Sequence, residues 1–266
     1  VRRPRLRTFV VAVVVIVLLL GVAGFAWLVW PQTVLPEGDA AMASTADVTV
    51  STADGVTEFV PTAPATTGLI VYPGAKVPVS AYAPMAQAIA EAGYPVYIVD
   101  MPLNLAILGA DRALDVKAAH PEIEHWVIWG HSLGGAMAGQ TVANHPGAFD
   151  GLVLCGAYPN GDLSGQDVVV ASIYGTLDAG AERITSDATK ADLPAGATFV
   201  PIEGGNHENC GWYEGQANDP DSTISRQAQQ DAIVAATLDV LDQVSGATAT
   251  GALPRTLQRS ERLRAA

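Results

Sequence analysis

The chain has 266 residues, 49% of them apolar, which is enough for one large domain with a substantial core and excludes a disordered or fibrous protein. Its formal net charge of −13 is unevenly spread, with Arg2, Arg3, Arg5 and Arg7 at one end and Arg255, Arg259, Arg262 and Arg264 at the other. The acidic body between them would repel a phosphate backbone instead of releasing its counterions, so no nucleic-acid partner is expected.

Residues 1–8 are basic and residues 9–30, from Phe9 to Trp30, are apolar without a charge. About 20 such residues suffice to cross a bilayer as helix, with Trp27 and Trp30 at the far interface. The expectation is a single transmembrane signal anchor over 9–30, with residues 1–8 cytoplasmic by the positive-inside rule and the rest of the chain extracytoplasmic at the cell membrane. A cleaved signal peptide is the competing reading, and would leave the domain secreted; the run exceeds the roughly 7–15 residues usual for one. Residues 31–45, with Pro31, Pro36 and Gly38, read as a linker, 46–244 as the folded domain, and 245–266 as a disordered basic tail.

Within 46–244, short β-branched runs alternate with longer amphipathic stretches, the pattern of parallel strands joined by helical crossovers. Val48–Val50 and Val56–Val60 predict an opening antiparallel pair. Gly68–Tyr72, Val96–Val99, Trp126–Trp129, Leu152–Leu154, Val168–Tyr174 and Thr198–Ile202 predict the strands that follow. Helices are predicted over Ala81–Ala92, Asp111–Ala119, Gly134–Asn144 and Thr223–Val244, with Gly or Pro where the first three should stop. The fold class is α/β: a mostly parallel central sheet with helices on both faces. Cys155 and Cys210 are too few for a disulfide framework and lack metal-site spacing, so they read as solitary thiols on non-neighbouring elements, pairing only if the domain is exported.

The strand Trp126–Trp129 runs straight into Gly130-His131-Ser132-Leu133-Gly134-Gly135 and then into a helix. A serine hydroxyl is a weak nucleophile, and a sharp strand-to-helix turn can expose it beside a base. The turn is so tight that Cβ atoms two residues away on either side would collide, and Gly130 and Gly134 remove them. Ser132 is therefore the candidate nucleophile. The Leu133 N–H, in the first turn of the helix, is one candidate oxyanion donor. The loop Tyr72-Pro73-Gly74-Ala75-Lys76 supplies a second, the N–H of Ala75, with that of Lys76 as its rival. The Lys76 side chain reads either as a positive charge for the substrate or as a solvated loop lysine.

A base must lie within reach of Ser132, and a carboxylate must fix its tautomer. Of the five histidines, His131 is adjacent to the serine and points the wrong way, His120 and His145 each precede a proline, and His125 opens a strand. His207, in Glu203-Gly204-Gly205-Asn206-His207, follows the last strand at the sheet edge where Ser132 lies. Asp178, in a Gly-containing turn after Val168–Tyr174, gives the chain order Ser, Asp, His. Asp162 is its main rival, and Asp100 comes in the wrong order. Asn206 and Glu208 flank the histidine, and their plain reading is loop polarity.

Taken together, Tyr72–Lys76, Ala81-Tyr82-Ala83-Pro84, Met101-Pro102-Leu103-Asn104-Leu105-Ala106, Gly130–Met137 and Glu203–His207 resemble the bacterial α/β-hydrolase family 5, small proteins distantly similar to dienelactone hydrolases. The resemblance covers roughly residues 65–243. It implies the α/β-hydrolase fold, hydrolase activity and a triad of Ser132, Asp178 and His207, but no substrate. Dienelactone hydrolases carry a cysteine where this chain has Ser132, and Ala75 stands where the pattern often has a second glycine.

Only residues 158–167 separate two predicted strands where many such hydrolases insert a lid, so no cap domain is expected. The pocket should be walled by the loops Met101–Leu108 and Gly211–Pro220, with Trp212 and Tyr213 as candidate lining. The expected activity is carboxylic-ester hydrolysis of a small-molecule, lipid or polymer ester through an acyl-enzyme, needing no metal or organic cofactor. An acyltransferase with the same triad and a non-catalytic cell-surface binding protein are the alternatives.

Overall fold

The computed structural model describes residues 4–246; of residues 4–8, 25, 27 and 28 it describes the backbone alone. In chain order the elements are α1 (Pro4–Val29), β1 (Thr33–Val34), α2 (Pro36–Ala40), β2 (Val48–Ala53), β3 (Val56–Pro61), β4 (Thr67–Tyr72), α3 (Ala83–Glu91), β5 (Val96–Val99), α4 (Arg112–Ala119), β6 (His125–His131) and α5 (Leu133–Asn144). They continue with β7 (Gly151–Cys155), β8 (Val169–Gly175), α6 (Ala181–Ile184), α7 (Asp187–Ala191), β9 (Thr198–Ile202), β10 (Tyr213–Glu214) and α8 (Arg226–Val244).

Eight strands form one sheet in the order β2-β3-β5-β4-β6-β7-β8-β9, with β2 and β3 antiparallel and every pair from β5 to β9 parallel. Strand side chains alternate between faces, and both faces are covered, so the central strands are apolar throughout. In β4, Leu69 and Val71 join the core under α3 and α8, while Ile70 and Tyr72 join the core under α4 and α5. Val127 and Trp129 of β6 face the first layer; Trp126 and Ile128 face the second. Because all the parallel strands end at one edge, the loops that follow β4, β6, β7, β8 and β9 converge there, beside the point where the strand order reverses.

Three sequence expectations change. Helix α1 forms over the predicted apolar run, but among the described residues no helix is long and apolar enough to cross a membrane, so the transmembrane anchor assigned to 9–30 is corrected. Residues 31–45, read as a linker, carry β1 and α2: β1 pairs with β10 through Thr33 with Glu214 and Val34 with Tyr213. Residues 247–266 of the expected tail lie outside the described residues.

Cys155 and Cys210, expected as solitary thiols, form a disulfide with their Cα atoms 6.5 Å apart. Cys155 ends β7, and Cys210 lies in the short 3-10 turn Glu208–Cys210. The loop leaving β9 folds back across the sheet edge and brings the two together, a juxtaposition created by the crossover and absent from local pattern.

Candidate active site

Ser132 sits between β6 and α5 with φ 53° and ψ −121°, a left-handed conformation that a non-glycine residue adopts only when its surroundings impose it. A Cβ on Gly130 would come within 2.5 Å of the Gly134 carbonyl oxygen, and one on Gly134 would collide with the carbonyls of Tyr72 and Pro73. The Ser132 N–H is itself anchored, donating to Cys155 O on β7 at 3.1 Å.

The histidine and the carboxylate meet across the same edge. His207 Nδ1–H donates to Asp178 Oδ2 at 2.8 Å, and the other carboxylate oxygen, Oδ1, accepts from Gly180 N–H at 2.6 Å. Asp178 is buried, so its charge acts through a weakly screened medium. Burial alone would pull the His207 pKa down, but the hydrogen bond and charge of Asp178, with a further contribution from Asp219, outweigh it and leave the pKa raised. With Nδ1 engaged, Nε2 is the nitrogen left for the hollow. Ser132, Asp178 and His207 line one cavity of about 430 Å³, together with Leu133, Ala136, Gly156, Tyr158 and Asp219.

Ser132 also lines a second hollow of about 590 Å³ on the side of the Tyr72–Lys76 loop, bounded by Gly74–Val77, Tyr213 and the segment 30–32. In that loop Pro73 has no N–H, Gly74 N–H donates to Tyr82 Oη at 2.9 Å, Lys76 N–H to Asn104 O at 2.7 Å and Val77 N–H to Gly74 O at 3.1 Å. Among the described residues the Ala75 N–H alone in this loop has no acceptor. The Leu133 N–H is in the same condition, being in the first turn of a helix, where no preceding carbonyl reaches it. Two backbone donors thus stand uncommitted on either side of Ser132.

Other expectations fall differently. Asp162 is fully exposed, its Oδ1 accepting from Ser164 N–H, and it lines neither hollow. The Gly211–Pro220 loop does wall the site, through Tyr213, Gly215, Gln216, Ala217, Asn218 and Asp219, whereas Trp212 is buried behind it. The Met101–Leu108 loop lines neither hollow; its Asn104 carbonyl braces Lys76 instead. Asn206, read as loop polarity, is a brace: its Nδ2 donates to Pro220 O, its Oδ1 accepts from Asn209 N–H, and Gln229 of α8 bonds its N–H and C=O. Glu208 likewise binds Arg226 at 3.1 Å and accepts the N–H groups of Gly215 and Gln216.

Three residues escape the sequence reading. Asp219 accepts the His207 and Glu208 N–H groups at 3.2 and 2.8 Å, and nothing in a loop aspartate twelve residues on announces that. Gly156 has φ +55°, and a Cβ there would lie 3.0 Å from both Asp178 Oδ2 and His207 Nδ1; a glycine directly after β7 was its only signal. Tyr82 is fully buried with its hydroxyl between Gly74 and His131, although it resembles any apolar-facing helix residue in sequence.

The alpha/beta hydrolase family matches residues 68–231, more than half of the chain, and the match includes Ser132, Asp178 and His207. The chain belongs to the alpha/beta hydrolase family. No curated protein matches this hydrolase. Among solved structures it is similar to a predicted CIB-like hydrolase from Thermoplasma acidophilum, at 19% identity and a TM-score of 0.48, covering 62% of this chain and 90% of that one.

Proposed function

We propose that this hydrolase cleaves carboxylic esters through an acyl-enzyme on Ser132. The observation that carries the reading is the Asp178–His207 pair at 2.8 Å, opening into the same cavity as a serine held on a strained turn. His207 Nε2 takes the Ser132 proton as the hydroxyl oxygen attacks the acyl carbon, while Asp178 orients the ring and stabilises the imidazolium. The uncommitted N–H groups of Ala75 and Leu133 receive the developing oxyanion. His207 then gives the proton to the leaving alkoxide, and a water activated by the same ring releases the acid and frees Ser132.

The two hollows flanking Ser132 supply room for the acyl and alcohol portions of the substrate. An oxidising compartment is part of the proposal, and the Cys155–Cys210 disulfide supports it. The test is labelling by a fluorophosphonate, with Ser132→Ala beside the wild type. Stoichiometric labelling that disappears in the variant is expected; a wild type that does not label would overturn the reading. A p-nitrophenyl ester series of increasing acyl length then maps the hollows, and a cysteine-alkylation assay on freshly isolated protein reads the disulfide.

A further inference from the structure

We propose that Tyr82 and His131 form a positioning pair that aims the Ala75 N–H at the oxyanion, an inference that rests on the proposed ester chemistry at Ser132. The pair begins with Tyr82, which ends the 3-10 turn Val79–Tyr82 and is buried beneath the Tyr72–Lys76 loop. Its hydroxyl oxygen accepts the Gly74 N–H at 2.9 Å and stands 2.8 Å from His131 Nδ1. Gly74 is pressed against both, since a Cβ there would lie 2.7 Å from His131 Nδ1 and 3.2 Å from Tyr82 Oη. The peptide that follows, carrying the Ala75 N–H, is therefore held by a glycine that has no freedom to turn away.

Burial sets the charge of the pair. His131 is buried, its pKa driven well below the ordinary histidine value by burial first and by the His207 charge second, so it is neutral. A neutral imidazole has one donor nitrogen and one acceptor nitrogen. If Nδ1 carried the proton, the Tyr82 hydrogen would have no acceptor among the described residues. With Nδ1 as acceptor, Tyr82 accepts from Gly74 and donates to His131, filling both of its hydrogen-bonding roles, and the imidazole proton lies on Nε2, a buried atom with no hydrogen-bond partner among the described residues. The Tyr82 ring is fixed in turn by the edge of Trp129, with centroids 5.7 Å apart.

His131 reaches the base as well as the oxyanion loop. Its ring lies 4.6 Å from that of His207, centroid to centroid. The residue next to Ser132, which lines the second hollow beside it, thus links the oxyanion loop to the proposed base. Pre-aimed donors stabilise the transition state without reorganising as charge develops, which is why their alignment bears on kcat more than on ground-state binding.

The experiment is Tyr82→Phe, which keeps the ring and deletes the hydroxyl, beside His131→Asn and His131→Leu. Tyr82→Phe is expected to lower kcat about tenfold or more with KM within about twofold, and to slow fluorophosphonate inactivation by the same factor; losing an oxyanion donor outright costs roughly 10²–10³. His131→Asn, which can still offer an acceptor near the Nδ1 position, should retain several-fold more kcat than His131→Leu. Hydrogen exchange at the Gly74 amide should accelerate in Tyr82→Phe, a readout that needs no turnover. Unchanged kcat, unchanged Gly74 exchange, or equal loss in the Asn and Leu variants would overturn the inference. Failure of the wild type to label would instead sink the ester chemistry, leaving the Gly74 exchange to decide the positioning role.

Discussion

His207 has a raised pKa because Asp178 and Asp219 favour its charged form by more than burial opposes it. A general base must be neutral, so the acid limb of kcat/KM should fall above the ordinary histidine pKa, with activity rising as the pH passes through it. The Asp219 carboxylate stabilises the imidazolium, so Asp219→Asn should lower the His207 pKa and move that limb to lower pH, read from a pH–rate profile. The asparagine oxygen can still accept one of the two N–H groups that Asp219 receives. The same shift makes His207 stabilise the fold most below its unfolded pKa, a contribution lost as the pH rises through the folded value. Asp178→Asn should cost about 10⁴ in kcat, because the amide favours the wrong tautomer. Gly156→Ala should damage activity more than it damages KM. Its methyl would press on the Asp178–His207 bond, and the positive φ adds strain.

At the scale of elements, the β9–α8 connection is built as a rigid bracket for one histidine. Gln229 of α8 holds Asn206, Arg226 holds Glu208, Asp219 holds the two backbone N–H groups at and after His207, and Cys210 is bonded to the end of β7. That strand end also supplies the carbonyl that receives Ser132 N–H, so the disulfide joins the His207 loop to the strand end that anchors Ser132. The bridge closes a span of 55 residues, for which the chain-entropy view gives a stabilisation of about 4 kcal/mol. Paired Cys155→Ser and Cys210→Ser substitution should lower the urea midpoint accordingly and reduce kcat, with Ser132 still labelled at a slower rate. A midpoint equal to that of the wild type would show that the bracket holds without it. Both cysteines are buried, so mild reductant should act slowly on the folded protein.

At the scale of the whole molecule, the formal charge of −13 sets a field around an open site. An anionic ester should show a lower kcat/KM than its neutral isostere at low ionic strength, and the gap should narrow as salt rises toward ~0.3 M, where the screening length is about 6 Å. Much of this molecule was legible in its sequence. The strand pattern gave the parallel sheet because strands buried on both faces must be apolar throughout. The turn at Ser132 was legible because only glycines fit where backbones touch, and the chain order of serine, aspartate and histidine followed from which strand ends could share an edge. These are local or topological constraints, written one residue after another. The disulfide, the Asp219 contact and the Tyr82–His131 link were decided only by tertiary structure, since each joins residues from separate crossovers and depends on distances of a few ångströms. The course of residues 31–45 was decided there too, because a short strand such as β1 exists only where β10 offers its edge. For Ser132 itself, the residue types came from sequence and the two uncommitted backbone donors from the completed hydrogen-bond accounting of the fold, because which N–H groups remain free depends on every acceptor the folded chain brings near.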